Sequence, residues 1–122
     1  MSHVKTIAIV DDDPSVRQAT SSLIRSLGMQ AATFASAEDY LAALGTSAVD
    51  CLITDVQMDG IGGVELSQIL RDRGNDTPII FITAFPDERI RERVMAAGAI
   101  GFLGKPFEGQ MLIDCIETAL AA

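Results

Sequence analysis

Histidine is almost missing from the 122 residues: there is one, His3, at the amino-terminal edge. A Ser/His/Asp triad needs an imidazole held by a folded element, and a frayed terminus does not provide one, so that class of hydrolase is excluded. Cysteine is nearly as scarce. Cys51 and Cys115 lie far apart, each inside an apolar segment, which rules out zinc-ligand spacing and favours two buried, reduced thiols over the alternative of a disulfide. Basic residues number 9 against 17 acidic ones, a formal net charge of −8 at pH 7. Direct nucleic-acid binding is thereby disfavoured, and a cation is the more fitting companion. Long hydrophobic runs are missing as well. Thr6 to Val10 and Pro78 to Phe81 fall far short of the ~18 residues of a membrane span, and no secretory core follows Met1. Membrane insertion and secretion are not expected, which leaves the cytoplasm.

What is present is enough for one core. Hydrophobic residues make up 48% of the chain, and two domains would leave each near the lower size limit for self-sufficient folding. Short apolar runs alternate five times with stretches of helical period. The runs are Thr6 to Val10, Ala31 to Phe34, Cys51 to Thr54, Pro78 to Thr83 and Ile100 to Leu103, and they read as strands. Because they are nearly all apolar instead of alternating, both faces of the sheet must be covered. The fold class is therefore α/β, a doubly wound, five-stranded parallel sheet.

Local signals place the helices. Asp13-Pro14 reads as a cap followed by proline at the first helical position, with Val16, Ala19, Leu23 and Leu27 at helical spacing before Gly28. Ser36 and Asp39 form a weakened capping box ahead of Tyr40, Leu41 and Leu44. Val64, Leu66, Ile69 and Leu70 mark a third helix, Asp87 to Ala97 a fourth with mixed charge, and Glu108 to Leu120 a fifth.

In such sheets ligands bind at the carboxyl ends of the strands. Here those ends carry Asp11 and Asp12, then Asp55, Thr83 and Lys105. Any one of these is unremarkable, since a strand-end aspartate is usually a turn residue and a lone lysine is solvated. Together they are not. Three carboxylates at roughly 5 Å and an effective dielectric of 20 repel by about 3 kcal/mol per pair, so something must offset them. Mg²⁺ does so with one or two carboxylates, waters and room for phosphate oxygens, which the Thr83 hydroxyl and Lys105 are placed to help hold.

The chain resembles the receiver domain of two-component response regulators, the CheY-like superfamily. The resemblance runs through Ile9-Val-Asp-Asp-Asp-Pro14, Asp55-Val-Gln-Met58, Gly63-Val-Glu-Leu66, Pro78-Ile-Ile-Phe-Ile-Thr-Ala84 and Gly98-Ala-Ile-Gly-Phe-Leu-Gly-Lys-Pro-Phe107. The last two segments look most like FixJ-type receivers. The resemblance implies the strand order 2-1-3-4-5 and a set of roles. Asp55 is the phosphoacceptor, taking a phosphoryl group from a sensor histidine kinase or a histidine phosphotransfer protein. Asp12 binds Mg²⁺ directly and Asp11 through water, with Asp55 and the Gln57 backbone carbonyl completing the protein ligands. Lys105 neutralises phosphoryl charge, and Lys105-Pro106 matches a cis peptide. Thr83 and Phe102 are the switch pair, altering the surface of helix 4, strand 5 and helix 5 for partner binding or homodimerisation. Ala84 keeps the access path open, while Gln57 and Phe85 tune phosphoryl lifetime by hindering water.

One departure stands out. Where the family has proline after Met58, this chain has Asp59, followed by Gly60, Gly62 and Gly63, which predicts a mobile loop. The expected organisation is one receiver over residues 1–122 without an output domain, in preference to the first part of a longer transcription regulator. No separate substrate turnover is expected. A dehalogenase-like phosphatase, the competing enzyme class, would need a carboxylate two residues after its nucleophile, and Gln57 stands there. A non-phosphorylated interaction module is disfavoured by the intact Asp12, Asp55, Thr83 and Lys105, and a flavodoxin-like nucleotide site by the lack of a phosphate loop.

Overall fold

The computed structural model describes residues 4–46 and 48–121, so the expectation for His3 lies outside it. Five strands, β1 (Thr6–Val10), β2 (Gln30–Phe34), β3 (Cys51–Asp55), β4 (Ile79–Thr83) and β5 (Gly101–Gly104), pair in parallel in the order β2-β1-β3-β4-β5. Between and after them come α1 (Pro14–Ser26), α2 (Ala37–Ala42), α3 (Gly63–Asp72), α4 (Glu88–Ala96) and α5 (Gly109–Ala121). The apolar strands divide by alternation into two cores. Ile7, Ile9, Cys51, Ile53, Ile80 and Ile82 face Ile24 of α1 and Leu112, Ile116 and Ala119 of α5. Ala8, Val10, Leu52, Ile79 and Phe81 face Tyr40 of α2, Leu66 and Leu70 of α3, and Val94 of α4. Each fully buried Ile or Leu contributes roughly 1.5–3 kcal/mol, so both faces are strongly specified and a one-residue slip of any strand would exchange them.

The caps form as their residue types dictate. Asp13 Oδ1 accepts the amides of Ser15 (2.9 Å) and Val16 (3.4 Å), and Ser36 Oγ accepts that of Asp39 (3.0 Å). Asp87 caps α4 in the same manner. Two helical faces differ from the sequence reading. On α1 the buried residues are Thr20, Ser21 and Ile24, while Ala19 and Leu27 are exposed and Val16 and Leu23 half-buried. The sheet side of α1 thus includes two hydroxyls, one of them satisfied by Arg25 (Nη1 to Ser21 Oγ, 2.7 Å), while Val16 and Leu23 pack against the first core and, with Ala19, border a hollow beside Pro106, Phe107 and Gly109. The second helix is only six residues long, so Leu44 falls beyond it, half-buried with Leu41 against the second core.

Both thiols are free. Burial, reinforced by the charges of Cys115 and Asp50, pushes the Cys51 thiol up to about 12. Cys115 is half-buried, and its Sγ occupies the space where a side chain on Gly101 would begin. Tyr40 is 2% exposed and packs edge-on against Phe34 at 5.2 Å, yet its hydroxyl has no hydrogen-bond partner among the described residues. A buried unpaired hydroxyl is costly, so Tyr40→Phe is expected to raise stability by about 1 kcal/mol. Urea denaturation checks this. A loss of stability would mean that the hydroxyl is satisfied by ordered water.

Candidate functional site

The sheet register brings the polar residues together. Val10 pairs with Thr54, Asp55 with Ile82, and Thr83 with Gly104, so Asp11, Asp55, Thr83 and Lys105 all end on the carboxyl edge. Three further backbone bonds carry the ladder past that edge and fix the directions of the functional residues. The Asp11 amide donates to the Phe34 carbonyl (3.2 Å), that of Val56 to Ile82 (2.9 Å), and that of Lys105 to Thr83 (2.7 Å). The Lys105-Pro106 peptide is cis.

Lys105 Nζ bridges two carboxylates, donating to Asp11 Oδ2 at 2.9 Å and Asp55 Oδ2 at 3.0 Å. The other oxygen of each is held by backbone: Asp11 Oδ1 accepts the Asp13 amide (2.9 Å) and Asp55 Oδ1 the Gln57 amide (3.2 Å). Both carboxylates are therefore oriented before any ligand arrives. Arg17 braces the same corner, its Nη1 donating to the Asp11 carbonyl. Asp11 is fully buried, Asp55 is 6% exposed, and Asp12 faces solvent.

Burial pushes the Asp55 carboxyl above its ordinary range, against the opposing pull of Lys105 and the Gln57 amide. Burial also pulls Lys105 down, but its bonds and charge attraction to Asp11 and Asp55 together outweigh that and raise it. The asymmetry has a simple origin, since Lys105 has two anionic partners whereas Asp55 shares one cation with Asp11. The repulsion foreseen from sequence is thus partly offset from within the chain, by a residue that sequence reasoning had reserved for the phosphoryl group.

One carboxylate oxygen from each of Asp11, Asp12 and Asp55 lies within 4.8 Å of the others. All are hard oxygen donors, and the exposed position of Asp12 leaves one side open to water, a donor set that suits Mg²⁺ better than a soft metal. Gln57 makes two contacts here: its backbone amide donates to Asp55 Oδ1, and its side-chain Oε1 lies 3.5 Å from Thr83 Oγ1. Thr83 is fully buried and accepts the Phe85 amide at 3.1 Å. Among the described residues no hydrogen bond joins its side chain to Asp55 or Lys105. The Phe85 ring is 71% exposed, and Phe102 packs half-buried against the core on the α2, α3 and α4 side. Ala84 and Asp59 are exposed.

The glycine-rich loop after Asp55, whose composition predicts mobility, makes contacts with the strand end and with α2. The Gly63 amide donates to the Val56 carbonyl (2.9 Å), the Ile61 amide to Glu38 Oε2 of α2 (3.4 Å), and Gly60, at φ +76°, lies directly against that carboxylate. Sequence reasoning missed Glu38 and Arg17 as supports. Neither carries a local signal, because each acts on backbone brought near only by the fold.

Comparison with known proteins gives a consistent picture. The family model described as the response regulator receiver domain matches residues 7–117. The response regulator protein TmoT of Ectopseudomonas mendocina is 42% identical over 114 residues, covering 93% of this chain and 52% of its own length. The low-resolution structure of the response regulator StyR superposes with a TM-score of 0.90 at 42% identity, over 98% of this chain and 60% of that one. The crystal structure of FixJ-N gives 0.88 at 34% identity, over 98% and 96%. The chain spans about half the length of the curated relatives it matches.

Proposed function

The chain belongs to the response regulator receiver family, and from that premise we propose that it accepts a phosphoryl group on Asp55 from a phosphohistidine and relays the signal by changing its surface. The observation that carries this reading is the pair of buried carboxylates bridged by Lys105 beside the exposed Asp12. An Asp55 oxygen attacks phosphorus in line, the phosphorus–nitrogen bond breaks, and the imidazole departs with the electron pair. Lys105 follows the developing charge on the equatorial oxygens, giving up part of its bond to Asp55 while keeping Asp11. Asp11, Asp12 and Asp55 would hold Mg²⁺ with the Gln57 carbonyl, and the metal supplies charge neutralisation between acceptor and donor.

A sensor histidine kinase or a histidine phosphotransfer protein is the donor under this reading, and a phosphorylation-dependent partner or second copy the receiver of the signal. The readout passes from Thr83 to Phe102 and the surface of α4, β5 and α5. A complete switch from 1:99 to 99:1 needs about 5.5 kcal/mol of preference for the active packing. A charge-assisted bond from Thr83 supplies about 1.5–3 kcal/mol of it, leaving the remainder to Lys105 and the loops.

Incubation with acetyl phosphate and Mg²⁺ is expected to add one hydroxylamine-labile phosphoryl group, detected by intact-mass spectrometry, and Asp55→Asn to abolish it. Undiminished labelling of Asp55→Asn would place the acceptor elsewhere.

A further inference from the structure

The Thr83 hydroxyl meets a specific residue beside the acceptor. Its hydroxyl oxygen already accepts the Phe85 amide at 3.1 Å, so its single proton is free to be donated, and the acceptor in reach is Gln57 Oε1 at 3.5 Å. Gln57 is itself tied at the other end, where its amide donates to Asp55 Oδ1 at 3.2 Å. One residue therefore touches both the carboxylate that would be modified and the hydroxyl that would respond. Thr83 is fully buried whereas Gln57 is exposed, so breaking their contact returns the amide to water and leaves Thr83 seeking a new acceptor.

We propose that the Gln57 side chain is a tether that holds Thr83 in the resting packing, and that phosphorylation of Asp55 releases it by competing for the Thr83 proton. This rests on the phosphoacceptor reading above and assigns Gln57 a positioning role distinct from shielding the phosphoryl group against water. A long, partly solvated hydrogen bond suits the task, because a strong one would lock the switch. Removing it raises the populated fraction of the active packing, and the apparent affinity for a phosphoryl mimic rises by the same factor.

The test is a double-mutant cycle read by titration with beryllofluoride at saturating Mg²⁺. Gln57→Met keeps the length of the side chain but removes the amide oxygen. It is expected to tighten beryllofluoride binding about twofold, the factor that corresponds to a weak neutral hydrogen bond. In a Thr83→Ala background the same replacement is expected to leave affinity unchanged, since no hydroxyl remains to be held. Amide exchange of Phe85, measured by NMR without ligand, should quicken in Gln57→Met, because the Thr83 oxygen it donates to is no longer fixed. Unchanged affinity in Gln57→Met overturns the tether. So does an equal gain in the Thr83→Ala background, which would assign Gln57 to shielding alone. A wild-type protein that binds no beryllofluoride overturns the phosphoacceptor reading itself, and the tether with it.

Discussion

Lys105→Met is expected to cost about 3 kcal/mol of stability when divalent cations are chelated, the range seen when one partner of a buried ion pair is removed. Methionine keeps most of the apolar stem and so isolates the loss of charge. What remains is a fully buried Asp11 facing an Asp55 that is 6% exposed, with no ammonium between them. The pH dependence has a definite sign. Asp55 already lies above its ordinary range because of burial, and the bond and charge of Lys105 are what oppose that rise. Without the lysine its folded pKa climbs further above the unfolded value. A carboxyl raised in this way favours the folded state at low pH and disfavours it as pH rises through the folded pKa. The deficit relative to wild type should therefore shrink towards acidic pH and be largest near neutrality. Two rescues are expected: Asp55→Asn in the same chain, which removes one of the two charges, and Mg²⁺, which adds about 1.4 kcal/mol at ten times its dissociation constant. Denaturant titrations at pH 5 and pH 7.5, with and without Mg²⁺, read all of this. A variant as stable as wild type in chelator at neutral pH would show that Asp11 and Asp55 do not depend on Lys105.

Why such a dependence was not visible beforehand is instructive about what a sequence encodes. The strands were legible to within a residue at every end, because Ile7 to Val10, Cys51 to Ile53 and Ile79 to Ile82 are buried on both faces and their composition leaves no other use. Their composition also marked where the carboxyl edge lies, since Asp11 and Thr83 stand one step beyond such a run, Asp12 and Asp55 two, and Lys105 follows β5. The mutual bonds of these residues were not legible, since Asp11 and Lys105 meet across 94 positions and only the register decides that they touch. The buried face of α1 was legible only in part, for a different reason: Val16 and Leu23 do pack on the core, but Thr20 and Ser21 also face inward, and a count of apolar spacing is blind to a hydroxyl such as that of Ser21, which finds its partner in Arg25 of the same helix. The contacts of the loop after Asp55 were not legible, because glycine signals either slack or close approach, and composition does not say which.

Close approach is what Gly63 provides, and of the glycines it leaves the least room for a Cβ. A Cβ on Gly63 would run into the Asp55 carbonyl oxygen and come within 2.9 Å of its carbonyl carbon and 3.1 Å of Val56 Cα. All three are backbone atoms of the strand end that carries the acceptor, so no side chain can swing aside. Either α3 withdraws and the bond from the Gly63 amide to the Val56 carbonyl breaks, or Asp55 is displaced from Lys105. Overpacking of this kind costs about 1–3 kcal/mol, and the lost hydrogen bond adds about 1 kcal/mol. Gly28 makes the useful control. It has φ +81° and nothing within 4 Å of its would-be Cβ, so Gly28→Ala suffers only the left-handed backbone penalty of about 1–2 kcal/mol. Gly63→Ala is therefore expected to be the less stable of the two in urea, and to slow phosphoryl uptake from acetyl phosphate by more than tenfold, about 1.4 kcal/mol of barrier, while Gly28→Ala leaves uptake near wild type. If the two alanine variants prove equally stable and equally quick to label, the contact between α3 and the Asp55 backbone does not set the acceptor geometry.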